Sequence, residues 1–77
     1  MHTLFIGGLP PDASAETLHQ LFGDITGLTA ARVITSTSGC CRGFGYVSFA
    51  SREAMLAARR RDGTTLGPHR LRVAPAQ

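Results

Sequence analysis

Alternating apolar and polar positions predict four strands along this chain. They run over Thr3 to Gly7, Leu28 to Thr35, Arg42 to Phe49 and Arg70 to Ala74. In the first strand Leu4 and Ile6 fall on one face, whereas Thr3 and Phe5 fall on the other. This period of two is typical of a strand that buries one face and leaves the other open.

Helical spacing separates the strands. After the first strand, apolar residues follow at i, i+3, i+4 and i+7, namely Leu18, Leu21, Phe22 and Ile25. They predict a helix of about three turns with one apolar stripe. Ser14 is a suitable N-cap residue, and Gly27 is expected to end this helix. Ser51 can cap a second helix that runs to about Arg61 and ends at Asp62-Gly63.

The order β-α-β-β-α-β predicts an α+β fold, the split βαβ arrangement of ferredoxin-like proteins. Residues 64–67 are expected to form a turn or a short hairpin, and residues 1–77 a single domain. The helix-facing positions should form the core: Leu4, Ile6, Leu18, Leu21, Phe22, Ala31, Val33, Val47, Phe49, Leu71 and Val73.

The opposite face of the sheet carries an unusual set of side chains. By alternation it receives Phe5, Arg32, Ile34, Phe44, Tyr46, Arg70 and Arg72. The chain has only four phenylalanines and one tyrosine, so most of its aromatic residues fall on a face that no predicted helix covers. A small domain that leaves such a patch open usually does so for a partner.

Charge supports an anionic partner. The net charge is +3, and all eight basic residues are arginine, which makes planar, bidentate contacts with phosphates. Four of them, Arg32, Arg42, Arg70 and Arg72, belong to the aromatic face or its edges. The acids fall on predicted loops and helices, namely Asp12, Glu16, Asp24, Glu53 and Asp62. Arg59 to Arg61 are interpreted as a solvated charge run at a helix C-terminus.

Catalytic and metal-binding arrangements are not indicated by the sequence. Cys40 and Cys41 are adjacent and interpreted as loop thiols in a reducing compartment, and the three histidines are dispersed. The absence of lysine excludes a phosphate-binding P-loop. We therefore expect no enzyme, no metal and no cofactor. No membrane segment or signal peptide is recognisable, so we expect an intracellular protein, cytoplasmic, nuclear or in an organelle.

Two stretches resemble the paired ribonucleoprotein motifs of the RNA-recognition-motif family. The octamer Arg42-Gly43-Phe44-Gly45-Tyr46-Val47-Ser48-Phe49 matches every specified position of the longer motif. The hexamer Leu4-Phe5-Ile6-Gly7-Gly8-Leu9 is similar to the shorter one. The hexamer alone would be weak evidence, whereas the two together, separated by one helix and one strand, are highly specific.

The resemblance implies a four-stranded antiparallel sheet of order 4-1-3-2, with both helices on one face, that binds single-stranded RNA. Phe5 and either Phe44 or Tyr46 would stack on two successive bases, while the remaining ring would pack against the sugars between them. Arg42 would reach a phosphate. Gly43 and Gly45 would keep the strand slim where backbone and ligand approach closely.

Base preference would depend on side chains around the rings. These are Thr3, Arg32, Ile34, Arg70 and Arg72, together with the segment after Val73. We expect a site of about two to four nucleotides with roughly micromolar affinity. The loop Ser36 to Cys41 carries no charge, which also predicts modest affinity. Single-stranded DNA is an alternative ligand, because stacking serves both nucleic acids.

A protein-interaction module on the same fold is the second hypothesis. In the family's register, the core-facing positions of the second helix are Ala54, Ala57, Ala58 and Arg61. Met55 and Leu56 would then be more exposed and form a protein contact. Alternatively, the helix is rotated, or Arg61 lays its aliphatic stem along the core. We expect a monomer. Because the chain stops at Gln77, just past the last strand, it is either a minimal protein or an excised domain.

Overall fold

Two helices and six strands occur in residues 2–76, the part of the chain that the computed structural model describes. They are β1 (His2–Gly7), α1 (Ala15–Phe22), β2 (Leu28–Thr35), β3 (Cys41–Phe49), α2 (Arg52–Arg59), β4 (Thr65–Leu66), β5 (His69–Arg70) and β6 (Arg72–Pro75). Met1 and Gln77, the two ends of the predicted domain, lie outside the described residues.

Four strands form one antiparallel sheet in the order β2-β3-β1-β6. This is the predicted 4-1-3-2 order, because β6 is the fourth long strand, and the predicted α+β fold is confirmed. β4 and β5 pair only with each other and form a small hairpin before β6. Neither helix of residues 2–76 is long and apolar enough to cross a membrane.

The core lies between the helices and the sheet, as the alternation predicts. Its fully buried members include Leu4 and Ile6 from β1, Phe22 from α1, and Val47 and Phe49 from β3. Predicted core residues nearer the rim are only partly buried and pack against this cluster, namely Leu21, Ala31 and Val33. The sheet therefore buries one face and leaves the other free.

Three buried apolar side chains were not predicted: those of Leu9, Ala13 and Cys41. They are buried because the segment after β1 is held against the start of β3. The Leu9 amide donates to the Gly43 carbonyl at 2.9 Å, and the Cys41 amide donates to the Pro11 carbonyl at 2.9 Å. The interpretation of both cysteines as loop thiols is thus wrong for Cys41, which begins β3, whereas Cys40 is exposed.

The first helix is shorter than predicted. It ends at Phe22 and not before Gly27, because Gly23 forms its C-cap and donates to the His19 carbonyl at 2.7 Å. Ile25 nevertheless packs against the core from the turn that follows. Gly27, with φ of +104°, accepts a hydrogen bond from the Ala50 amide and so starts the approach to β2.

The face that the second helix presents to the core differs from the family's register and fits the alternative of a rotated helix. Ala54 and Ala58 are buried, but Ala57 is exposed, and Met55 packs partly buried against the core. The flexible Met55 side chain thus adds apolar volume to the core beside two small alanines. Of the two residues expected to be exposed, only Leu56 is, with 39% of its surface accessible.

Arg61 connects the ends of the two helices. Its guanidinium donates to both carboxylate oxygens of Asp24, at 2.8 and 2.7 Å, and also to the Leu21 carbonyl. The sequence suggested that Arg61 is part of a solvated charge run or lays its aliphatic stem along the core. Both interpretations are wrong. The signal for the pair was absent from the sequence, since the two residues lie 37 positions apart.

This ion pair predicts a specific acid sensitivity. The hydrogen bonds from Arg61 lower the pKa of Asp24 below its ordinary value. A carboxyl with a depressed folded-state pKa contributes stability above the unfolded pKa of about 4, and loses it as pH falls through the folded value. Asp24→Asn should therefore lower the urea midpoint at pH 7 and flatten its decline below pH 4.

The matched control is Asp12→Asn, at an exposed position in the loop after β1. Urea unfolding of the wild type and both variants between pH 2 and 7 measures the effect. If the urea midpoints of Asp24→Asn and the wild type decline equally as the pH falls, the ion pair contributes nothing to stability in solution.

Candidate functional site

Three aromatic side chains lie together on the open face of the sheet. The ring centroids of Phe5 and Phe44 are 5.8 Å apart with an interplanar angle of 27°. Tyr46 meets both rings edge-on, at 5.9 Å from Phe5 and 6.4 Å from Phe44. All three are partly exposed. The rings of Phe5, Phe44 and Tyr46, called the aromatic platform below, thus form one continuous apolar surface.

Strand pairing explains this arrangement. β1 and β3 are neighbours, and Phe5 lies opposite Tyr46 in their register. Their chain neighbours point inward, so alternation turns the rings outward. Gly7 is opposite Phe44, and a Cβ at Gly7 would lie 2.9 Å from the Cε2 atom of Phe5. The glycine therefore leaves room for the Phe5 ring.

The glycines of β3 lie where backbone segments come close together, as expected. Gly45 is buried, and a Cβ there would lie 2.4 Å from the carbonyl oxygen of Arg32 in β2. It permits the close approach of two strands. Gly43 has φ of +96°, a conformation that favours glycine, and its carbonyl holds the Leu9 amide.

Arginines lie on both sides of the aromatic platform. Arg32 is opposite Tyr46 in the β2–β3 register, and its guanidinium carbon is 5.7 Å from the centre of the tyrosine ring. Arg72 is opposite Gly7 on β6, at the other side of the platform. Arg42 is exposed near the start of β3, two residues before Phe44. The structure brings Arg32 and Arg72 to the open face and leaves Arg42 exposed near the end of the platform.

Arg70 lies elsewhere than expected. It belongs to β5, opposite Thr65, and is not part of the four-stranded sheet. The backbone explains the difference, because the amide of Leu71 donates to Thr64 and its carbonyl accepts from Gly63, so that β6 begins only at Arg72. The Arg70 guanidinium lies alongside Gly63.

The other two predicted residues occupy the edges of the face. Ile34 is partly buried on β2, between two register positions where the pairing with β3 is irregular. Thr3 lies opposite Ser48, and their hydroxyl oxygens are 3.0 Å apart. Sequence reasoning did not select Ser48, although its parity with Tyr46 along β3 places it on the same face.

Beside the aromatic platform the open face of the sheet contains a shallow hollow. Its lining includes the small side chains of Thr3, Ala30, Ser48 and Ala76, with Arg32 and Tyr46 along one side. We call it the Thr3–Ser48 hollow. Small residues next to a large ring and a long arginine create a depth difference on an otherwise flat sheet.

The charges of the described residues favour an anion at this face. Within residues 2–76 the salt bridge found is that of Asp24 with Arg61, at the helix ends, so Arg32, Arg42 and Arg72 are not neutralised by a carboxylate. Asp62 instead accepts a hydrogen bond from the Val73 amide at 2.9 Å. An aromatic surface flanked by unneutralised guanidinium groups can hold flat, negatively charged ligands.

Comparisons with known proteins agree with this geometry. A family model described as the RNA recognition motif matches residues 4–72. An uncharacterized RNA-binding protein of Schizosaccharomyces pombe is 34% identical over 74 residues, which is 95% of this chain and 34% of that protein. The chain spans about a third or less of the length of the first curated relatives that it matches.

Solved structures are similar over the whole chain. The second such domain of yeast poly(U)-binding protein has a TM-score of 0.90 and 30% identity, with coverage of 100% of this chain and 95% of that one. A structure titled as a complex of the Sxl-lethal protein with RNA has a TM-score of 0.92 and 27% identity, with coverage of 99% and 47%.

Proposed function

Because the chain belongs to the RNA recognition motif family, we propose that it binds single-stranded RNA on the open face of its sheet. The observation that carries the proposal is the aromatic platform, three adjacent and partly exposed rings on the sheet face opposite the core. The similar structure whose title names a complex with RNA supports the same ligand class for this chain.

Stacking is the main interaction of the proposed complex. Bases of a single strand expose their π-faces, and rings fixed on a sheet are flat partners that need little ordering. Phe5 and either Phe44 or Tyr46 hold two successive bases, and the remaining ring packs against the sugars. The rings are already in contact in the free protein, so binding does not require them to assemble.

Polar contacts supplement the stacking. Arg32, Arg42 and Arg72 reach phosphates or base edges around the platform, whereas Thr3 and Ile34 contribute at its margins. Two stacked bases at about 1–3 kcal/mol each, together with the arginine contacts, must offset the ordering of a flexible strand, and we expect roughly micromolar affinity for about two to four nucleotides.

An NMR titration of the ¹⁵N-labelled domain with short RNA of random sequence tests the proposal. Amide shifts should concentrate on β1, β3 and β6, and the amides of α1 and α2 should change little. A folded domain without shifts at millimolar RNA would contradict RNA binding. The same titration with single-stranded DNA shows whether the site uses the 2′-hydroxyl group.

Salt dependence reports the number of phosphates held. For a single strand, the logarithm of the association constant falls with the logarithm of salt concentration by about 0.7 for each phosphate neutralised. Arg42→Gln should reduce this slope by about 0.7, because Arg42 is proposed to pair with one phosphate. Fluorescence anisotropy at several salt concentrations measures it.

The control for this experiment is Arg59→Gln, which removes the same charge from the end of α2. Its slope should equal that of the wild type. Equal slopes in all three proteins would show that Arg42 holds no phosphate.

A protein contact through α2 is the second candidate function. Leu56 supports it, because this large apolar side chain is 39% exposed on the outer side of the helix. Met55 no longer supports it, since it packs against the core. A single exposed leucine is a common feature of protein surfaces, so the aromatic platform remains the better-supported site.

A further inference from the structure

The Thr3–Ser48 hollow is a candidate binding position for one base. In the sheet register, Ala30 and Thr3 flank Ser48, whereas in the adjacent row Arg32 and Phe5 flank Tyr46. A row of small side chains thus borders a row of large ones. Since facing side chains of adjacent strands are about 5 Å apart and diagonal ones about 7–8 Å apart, a base beside Tyr46 can reach both Arg32 and the hydroxyls.

The floor of the hollow offers mostly hydrogen-bond acceptors. The Thr3 and Ser48 hydroxyl oxygens lie 3.0 Å apart, so one of their two protons is used between them. The pair therefore retains one donor and about three acceptor lone pairs. The backbone carbonyl of Ser48 is already occupied by the Thr29 hydroxyl at 3.1 Å. A ligand edge that makes two or more hydrogen bonds to this floor therefore fits best when most of its groups are donors.

The side of the hollow offers only donors. Arg32 is exposed, forms no salt bridge within residues 2–76 and is held near the Tyr46 ring. Its guanidinium presents a planar fork of N–H groups and accepts nothing. The ligand edge that faces it must carry two neighbouring acceptors for a bidentate contact.

Guanine satisfies both requirements more fully than the other bases. Its N7 and O6 atoms are neighbouring acceptors, the commonest partners of arginine at base edges. Its N1–H and N2 amino groups, on the next edge, are donors. Adenine places an amino donor where the guanidinium needs an acceptor. Uracil separates its two carbonyl acceptors by an N–H group. Cytosine has neighbouring acceptors in O2 and N3, but its N4 amino group is then its one donor group for the floor, whereas guanine has two.

We propose that the Thr3–Ser48 hollow selects guanine in the bound RNA. Arg32 donates to O6 and N7, and the Thr3 and Ser48 hydroxyls accept from N1–H and the N2 amino group. This inference rests on the proposed RNA binding and assigns a base to one position of that site. It also gives Ser48, which lies outside the aromatic platform, a role in specificity.

Binding of four uridine pentamers, with guanosine, adenosine, cytidine or uridine at the centre, tests the preference by fluorescence anisotropy. The guanosine pentamer should bind at least about fivefold more tightly than each of the others. Equal affinities would overturn the inference and leave RNA binding intact. Absence of binding to all four would overturn RNA binding itself.

Atomic substitutions in the base identify the contacts. Replacing the central guanine by 7-deazaguanine removes N7, and replacing it by hypoxanthine removes the N2 amino group. Each change should weaken binding to the wild type by about fivefold or more. The 7-deaza penalty should disappear in Arg32→Gln, and the hypoxanthine penalty should disappear in a Thr3→Val/Ser48→Ala variant.

Arg72→Gln is the control, because it removes a guanidinium on the other side of the platform. It should weaken binding of all RNAs and preserve both penalties. A penalty that persists in Arg32→Gln or in the hydroxyl variant overturns the assigned contact. Amide NMR spectra of the variants verify that each one is folded.

Discussion

Replacing Phe44 and Tyr46 together by alanine should weaken RNA binding by about 30-fold or more. One of the two rings stacks on a base, which contributes about 1–3 kcal/mol, and a loss of about 2 kcal/mol corresponds to roughly that factor. The sugar contact of the other ring adds to the loss. The two rings lie 6.4 Å apart on the open face, so the double variant removes a large part of the aromatic platform. Isothermal titration calorimetry with a short RNA measures the loss.

The fold should survive this double substitution. Both rings point away from the core and are partly exposed, whereas Val47 and Phe49 of the same strand remain buried. A cross-strand aromatic contact contributes only about 0.2–1 kcal/mol to a sheet. Far-UV circular dichroism and urea unfolding should therefore show a folded protein of moderately reduced stability.

Leu56→Ala is the matched control. It also truncates a large, partly exposed apolar side chain, but on α2 and away from the sheet surface. Its RNA affinity should equal that of the wild type. If Leu56→Ala weakens binding and the folded double variant does not, the binding surface is α2 and the aromatic platform has only a structural role.

Single substitutions separate the roles of the rings. Phe44→Leu and Tyr46→Leu each keep apolar bulk but lose the flat π-face that a base requires. The ring that stacks on a base should therefore show the larger loss of affinity, and the ring that packs against sugars a smaller one.

Much of the fold was predictable because two simple periods are strong along this chain. The strand alternation correctly placed Leu4 and Ile6 in the core and the three platform rings on the other face. The sheet order came from the family resemblance, since alternation gives the faces of strands and not their neighbours. The alternation depends on residues close together in sequence. The resemblance depends on paired motifs in two parts of the chain.

The errors arose where long-range contacts decide the structure. Cys41 is buried because a distant carbonyl, that of Pro11, holds its amide. The face of α2 depends on the space that Met55 can fill beside the sheet, which alanine spacing does not reveal. Arg61 pairs with Asp24 across the two helix ends. Local patterns carry no information on such pairings.

The site was predicted less completely than the fold. Arg32 and Arg72 were correctly assigned to the open face, because strand parity is reliable inside a long strand. The assignment of Arg70 to the open face was wrong. Arg70 belongs to the hairpin of β4 and β5, and the last strand of the four-stranded sheet begins only at Arg72. The Thr3–Ser48 hollow depends on cross-strand register and was not visible before the strands were paired.

Gly45 connects the fold to the site and allows a sharp prediction. A Cβ at this position would lie 2.4 Å from the Arg32 carbonyl oxygen and 3.1 Å from the Val33 Cα atom. Both are backbone atoms, so no side-chain rotation can relieve the clash. Gly45→Ala should push β2 away from β3 and lower the free energy of unfolding by about 1–3 kcal/mol or more, as overpacked sites do.

Gly7→Ala is the matched control in the same sheet. Neither glycine has a positive φ, so left-handed backbone strain plays no part in either variant. The Cβ at Gly7 would meet the Phe5 ring at 2.9 Å, and that ring is a side chain that can turn away. Gly7→Ala should therefore cost less than Gly45→Ala in urea unfolding.

The comparison decides between two explanations for a glycine in the motif. If Gly45 serves strand approach, its substitution destabilises the domain, and the displaced Arg32 should also lose its position over Tyr46. If Gly45 instead serves ligand approach, the alanine variant would keep wild-type stability and lose only RNA affinity. Because Gly45 is buried against β2, we expect the first outcome, with specificity at Arg32 lost as a consequence of the altered strand pairing.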